Sequence, residues 1–426
     1  MVSRKYFFDD KSLPFFVEKI KETANKAVGD LPSLATDSKT DIVSAINELY
    51  NAMFDVSYVR DMSAWKNSNI TSGNWSTPVE LSDGTLITCR QDGYGIKYST
   101  DKGITWQNSN VTSDSYSTII KLSDGTLVIS IDNKGIKYST DKGITWQDSN
   151  VTSGNYITII ELSDGTLVAG SYSNRGIKYS TDKGITWQDS NVARGSYTTI
   201  IELSDGTLVA GSNGIKYSTD KGITWQDSNV TNVSYYTIIK LSDGTLVAGS
   251  IKKGIEYSTD KGVTWQDSNI TSGSYSTIIE LSDGTLITGS NGIKYSTDKG
   301  ITWQDSNITS GNYSTIIELS DGTLITGSNG IKYSTDKGIT WQDSNITSGG
   351  WSTPVELSDG TLVACSTIIK YSTDKGITWQ NSNVTSGYWY APVELSDGTL
   401  VAVSYGSKGI KYCAITKTVT PKWKSA

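Results

Sequence analysis

Histidine is absent from all 426 residues. The commonest general base and a common neutral metal ligand go with it, which excludes hydrolytic chemistry built on an imidazole. Cysteine is scarce: Cys89 and Cys365 occupy the same position of a repeat, and Cys413 stands alone near the C-terminus. Three such thiols make no disulfide framework, so small buried thiols are expected. The chain has only five arginines (Arg4, Arg60, Arg90, Arg175 and Arg194), a balance of −7 and no basic cluster, which argues against a nucleic-acid partner. No apolar run approaches the length of a membrane span, and Met1-Val-Ser-Arg-Lys-Tyr-Phe-Phe-Asp-Asp10 has no apolar stretch before its acids. Neither a signal peptide nor membrane insertion is expected.

What the chain does have is one string, Ser-Thr-Asp-Lys-Gly-(Ile/Val)-Thr-Trp, eight times, starting at 99, 139, 180, 218, 258, 296, 334 and 372. Self-similarity at that period marks one supersecondary unit stacked many times. Residues 276–311 and 314–349 are identical, so the informative positions are those where copies differ. One copy runs Tyr313-Ser-Thr-Ile-Ile-Glu-Leu, Ser-Asp-Gly, Thr323-Leu-Ile-Thr-Gly-Ser, Asn-Gly, Ile331-Lys-Tyr-Ser, Thr-Asp-Lys-Gly, Ile339-Thr-Trp-Gln. Four short β-branched and aromatic runs, separated by Asp-Gly and Asp-Lys-Gly turns, predict a four-stranded antiparallel blade. The expected fold is all-β, a β-propeller over residues 61–416.

The Ser-x-Asp-x-Gly-x-Thr-Trp string resembles the Asp-box, or bacterial neuraminidase repeat, of sialidase-like propellers, over roughly residues 65–413. The resemblance implies that Asp101, Asp141, Asp182, Asp220, Asp260, Asp298, Asp336 and Asp374 brace the turn between third and fourth strands. It implies equally that Trp106 and its seven equivalents fill core. About chemistry it implies little, because the family places this motif away from its active face.

Leu-Ser-Asp-Gly-Thr-Leu occurs nine times, from Leu81 to Leu395. The fourth-strand run Trp-x-(Asn/Asp)-Ser-Asn also occurs nine times, but its first copy, Trp65 to Asn69, precedes any complete blade. The last blade lacks that run. Nine blades are therefore expected, the N-terminal strand completing the last one and leaving no open edge. Were Thr418–Trp423 to supply that strand instead, closure would lose its clasp.

Residues 1–60 are of another kind. Asp10 opens a helical pattern with Leu13, Phe16, Val17, Ile20 and Ala24. A second begins at Ser38 with Asp41 in a capping-box arrangement, and places Ile42, Ile46, Leu49, Met53 and Val56 on a heptad seam. A self-associating stalk, trimeric from its Ile-rich seam, and an intramolecular hairpin both fit. Residues 417–426 are expected to be a tail.

In a propeller the turns joining strands 1–2 and 3–4 share one face, which here is nearly constant. The 2–3 loops and blade-to-blade connections share the other, and they vary: Arg90-Gln-Asp-Gly-Tyr-Gly, Ile131-Asp-Asn-Lys, Tyr172-Ser-Asn-Arg175, Ile251-Lys-Lys and Tyr405-Gly-Ser-Lys. Ligand contact is expected there. An aromatic opens each first strand: Trp75, Tyr116, Tyr156, Tyr197, Tyr236, Tyr275, Tyr313, Trp351 and Trp389. Such rings among Ser, Asn and Thr suit sugars, or else pack between blades. The first, eighth and ninth copies depart together, with Trp75-Ser-Thr-Pro78, Trp351-Ser-Thr-Pro354 and Trp389-Tyr-Ala-Pro392. Closure would make them one sector, with Trp75, Trp351, Tyr388, Trp389 and Tyr390 as a platform; Arg90 and Arg175, on variable loops, are further ligand-binding candidates. The alternative is a divergent closure region. The residue before each Leu-Ser-Asp-Gly is always charged (Glu80, Lys121, Glu161, Glu202, Lys240, Glu280, Glu318, Glu356, Glu394) and is expected to form a solvated collar.

Sialidases use three converging arginines, a Tyr/Glu nucleophile pair and an acidic Asp. Only Arg90, Arg175 and Arg194 fall securely in the propeller, no Arg-Ile-Pro string occurs, and nearly every acid is repeated throughout. No enzymatic activity, cofactor or metal is expected. Leu34-Ala-Thr-Asp-Ser-Lys-Thr-Asp-Ile-Val-Ser-Ala-Ile-Asn-Glu-Leu49 resembles a segment near the start of bacteriophage tail-fibre and baseplate proteins. That resemblance implies a receptor-binding protein of a phage tail or tail-like particle, joined through its N-terminus to a tail or baseplate protein. The expected ligand is a bacterial surface polysaccharide, bound multivalently by a homotrimer. A glycan-cleaving hydrolase and a structural spacer are the alternatives.

Overall fold

The computed structural model describes residues 54–421, except 91–94, 114, 115, 173, 291, 314, 353 and 407. Both expected helices, with Ile42, Ile46, Leu49 and Met53, lie outside the described residues. Val56, the last residue of the expected seam, is in a strand, Phe54–Arg60, that pairs with Ile415–Pro421. Alternating Phe54, Val56 and Tyr58 suit a strand better than a continued heptad. The expected tail is therefore strand as far as Pro421. The chain divides into two compact units, Met1–Val59 with Thr416–Ala426, and Arg60–Ile415.

Within Arg60–Ile415, the described residues form seven four-stranded antiparallel sheets and one six-stranded sheet, which together carry the nine copies of the repeat. In the third copy Tyr156–Glu161, Leu167–Ser171, Ile177–Ser180 and Gln188–Asp189 pair in sequence order. The second strand is buried along its whole length, because neighbouring copies cover both its faces. The two-residue fourth strand is exposed, and an edge this short and polar gives another chain little to pair with.

The six-stranded sheet holds the fourth and fifth copies, joined by one 15-residue strand, Gln226–Lys240. Seven other connections break the strand at a glycine with positive φ: Gly73, Gly154, Gly195, Gly273, Gly311, Gly349 and Gly387. At that position the fourth-to-fifth connection has Val233, which is costly at positive φ. Positive φ moves to Asn232 instead, and the chain stays extended.

Lys66–Asn67 is the fourth strand of the sheet whose other members are Val393–Glu394, Leu400–Val403 and Ile410–Cys413. The ends of the repeat region thus share a sheet, as expected from the orphan strand at Trp65. Hydrophobic clusters straddle successive copies, and one of them joins Leu395, Val401 and Ile410 of the last copy to Leu86 and Trp106 of the first. A side chain–backbone clasp accompanies each interface. Asn150, for example, donates from Nδ2 to the Trp187 carbonyl at 2.9 Å and accepts from the Trp187 N–H at 2.8 Å. The series closes on itself, with Asn383 clasping Trp65 in the same way.

Candidate functional site

On the face of the 1–2 and 3–4 turns, side chains that look available for chemistry are committed to structure. In the first copy, Asp101 Oδ1 accepts from Ser99 Oγ at 2.8 Å and from the Thr105 N–H at 2.8 Å, and its Oδ2 accepts from Thr105 Oγ1 at 2.6 Å. Ser99 Oγ in turn accepts the Gly103 N–H, and Trp106 Nε1 donates to the Gly103 carbonyl. Asp141, Asp182, Asp220, Asp260, Asp298, Asp336 and Asp374 repeat the arrangement. Burial pushes Asp101 up, but the Thr105 and Ser99 bonds more than offset it, and its pKa falls. The intervening lysine sits at φ near 63°, as at Lys102, and reaches across to the previous copy's Asp-Gly turn. Where the last copy lacks this lysine, Arg60 takes its place, 2.7 Å from Asp359 and also bonded to Glu394 and to the Gly398 carbonyl.

The charged collar also makes contacts between copies. Glu394 accepts from both the N–H and the Oγ of Ser358 in the preceding copy, at 2.7 Å each. Glu161, Glu202, Glu280, Glu318, Glu356 and, across the closure, Glu80 do the same. These half-buried carboxylates thus link neighbouring sheets. Lys121 and Lys240 replace glutamate at two interfaces and supply no acceptor.

On the opposite face most of the expected aromatics are taken out of solvent. Trp75 is 1% exposed, Tyr156 0%, Tyr313 7% and Trp389 4%, each packed in a cluster between copies. Trp351 is half-buried against such a cluster. The indoles are pinned at the rim: Trp75 Nε1 donates to the Ser72 carbonyl, Trp351 to Ser348 and Trp389 to Ser386. Of the two expected roles, packing between copies is the one Trp75, Tyr156, Tyr313 and Trp389 take, because the connection folds each of these rings inward, while Trp351 stays half-buried. The fifth copy's core ring is Tyr235, 3% exposed, and Tyr236 is 51% exposed. Counting back from Thr-Ile-Ile gives Tyr235, so that register was legible. Burial raises the Tyr156 phenol to about 12, with Asp189 adding to it.

The structure does gather another set. Tyr388 and Tyr405 are exposed, Tyr405 donates its N–H to the Tyr388 carbonyl at 2.7 Å, and the Tyr390 and Tyr405 rings meet edge to face at 6.3 Å. Tyr390 also lines a cavity of about 400 Å³ with Ser76, Thr77, Pro78, Tyr116 and Thr118, across the first-strand ends of the ninth, first and second copies. Arg90 lies over Trp75, with its Cζ 5.9 Å from the ring centroid. Arg175 is exposed and donates its N–H to Ser171 Oγ, in the third copy. Tyr156, Tyr236, Tyr313 and Arg175 are not brought to the Tyr388–Tyr390–Tyr405 group. Tyr405 and Tyr172, which open variable 2–3 loops where ligand contact is expected, are both exposed.

Repeated four-stranded antiparallel sheets, cores between successive copies and a shared first-and-last sheet define a β-propeller. Solved structures agree on the fold. The chain is similar to the Dos1 propeller, at TM-score 0.52 and 11% identity over 84% of this chain and 95% of that one. It is also similar to the computationally designed Ika8 protein, at TM-score 0.52 and 10% identity over 83% of this chain and 99% of that one. Identities this low speak to fold alone. No family model matches, and no curated protein matches.

Proposed function

We propose that this chain is a receptor-binding protein of a phage tail or phage-tail-like particle, built on a nine-bladed Asp-box propeller. The head binds a bacterial cell-surface polysaccharide through its variable face, and the N-terminal region attaches it to a tail or baseplate protein as a homotrimer. Nine blades are supported by the series of Asn–Trp clasps that ends where it began. The binding role rests chiefly on the exposed Tyr388 and Tyr405 beside the Tyr390 cavity. Flat amphipathic rings with two stiff torsions suit sugar C–H faces, and the serine and threonine hydroxyls of the cavity suit sugar hydroxyls. A binding rather than a catalytic role is supported by the acids: those of the Asp-boxes and of the Glu–Ser links already hold turns and interfaces together.

The test is binding of the fluorescently labelled full-length chain to a panel of bacterial cells and their extracted wall polymers. Selective binding is expected, falling at least about tenfold in Tyr388→Ala/Tyr405→Ala, whose exposed rings leave the fold intact. Failure of the folded protein to bind any strain would favour a structural spacer.

A further inference from the structure

In the second, third, fourth, sixth and seventh copies the third-strand lysine donates to a fourth-strand aspartate: Lys137 to Asp148, Lys178 to Asp189, Lys216 to Asp227, Lys294 to Asp305 and Lys332 to Asp343. In the eighth, ninth and first copies the acceptor is asparagine: Lys370 to Asn381, Lys411 to Asn67 and Lys97 to Asn108. An asparagine Oδ1 accepts the same bond from the same place, so the ammonium is held where it stands elsewhere while its charge is not cancelled. These three copies are also the ones that carry tryptophan and proline at the first strand. Cores between the eighth and ninth, and between the ninth and first, make them contiguous.

In two of them a second cation joins the first. Lys97 Nζ lies 5.8 Å from the Trp75 ring centroid, on which Arg90 also rests. Lys411 Nζ lies 5.9 Å from the Trp389 ring centroid, and a Cβ built at Gly387 would meet both that indole and Lys408 Cγ. Burial, and then Arg90, lowers the Lys97 pKa; burial, and then Lys408, lowers that of Lys411. In the ninth copy the Lys411 and Lys408 charges repel each other beside a buried indole, and an anion there would relieve that repulsion. All this sits in a chain whose overall balance is −7.

We propose that the ninth and first copies form a paired site for a polymer bearing phosphate or carboxylate groups, each copy offering an asparagine-held lysine beside one indole. The proposal rests on the receptor-binding reading above and specifies the charge of its ligand. The two sites share the asparagine-held lysine, so the asparagine is the residue to change.

The full-length chain is titrated with poly(glycerol phosphate), polygalacturonate and a neutral dextran of matched length, at low and physiological ionic strength, and in parallel with the bacterial panel. Asn67→Asp and Asn108→Asp install the pair that five other copies already carry, so they keep the fold. One or both anionic polymers should bind and dextran should not. Each single variant should weaken binding about fivefold or more, the double variant should abolish it, and added salt should weaken it further. Binding of the phosphate polymer alone, or of polygalacturonate alone, upholds the proposal and identifies the source of the anion. Equal binding of dextran, or anionic binding unmoved in the double variant, overturns it. So does binding to cells by a protein that takes up neither anionic polymer, a result that leaves the receptor-binding reading standing. Binding to no polymer and no cell overturns both.

Discussion

Glu256 occupies a position where eight other copies carry lysine, and it is 1% exposed. Its copy has moved the cation rather than discarded it. Lys253, from the 2–3 loop, bonds Glu256 and stands 3.1 Å from Asp267, while the Tyr235 hydroxyl donates to Glu256. Removing one partner of a buried pair leaves a charge without compensation, so Lys253→Met should lower stability by about 3 kcal/mol or more. Adding Glu256→Lys should recover much of it, by re-creating the lysine–aspartate pair of neighbouring copies. Differential scanning calorimetry of the two variants decides, and an unshifted melt in Lys253→Met would refute the account. Acid should act through other residues. Hydrogen bonds from Lys142, Lys221, Lys261 and Lys375, and then from backbone N–H groups, hold Asp83, Asp164, Asp205 and Asp321 down to about 2, from an ordinary 3.8. A lowered folded pKa gives stability that is fully present above 3.8 and is lost as pH falls toward about 2. Melting temperature against pH should therefore drop through that window, and a flat profile there would contradict it.

At the scale of the element, most of the strand pattern was legible because each strand ends at a turn whose chemistry is local. Asp-Gly and Asp-Lys-Gly dictate where the chain reverses, and Leu167–Ser171 reads as a buried run in sequence as it does in space. What lay beyond the sequence was partnership between copies. The collar glutamates carry no local mark of their bonds, which reach a serine 36 to 39 residues earlier in six of them and Ser396 from Glu80. The rings opening each first strand likewise carry none of the inward fold of their connection, which is why Trp75 and Trp389 read as platforms and stand in core. The same partnership predicts a gain. Lys121→Glu and Lys240→Glu should install the missing link to Ser82 and Ser204, and each should stabilise by about 1 kcal/mol. Thermal melts would show it, and an unchanged or lower midpoint in both would argue that those interfaces are spaced differently.

At the scale of the molecule, the strand that completes the last sheet is only two residues long, Lys66 and Asn67, and is supported by Trp65 in the core between the last two copies and by its clasp with Asn383. A chain beginning at residue 71 would expose the edge of Ile410–Cys413. Size-exclusion chromatography should then find oligomers by edge pairing, with an earlier melt. A monomer that melts like the full chain would show that closure is dispensable.

Arg60 gives this closure a mechanical consequence. Its side chain is 3% exposed and is fastened to Asp359, Glu394 and the Gly398 carbonyl. Tension applied upstream reaches this guanidinium before it reaches the short strand. Any pull on the backbone upstream of Arg60 would therefore load a buried fork gripping two successive copies before it loads the seam.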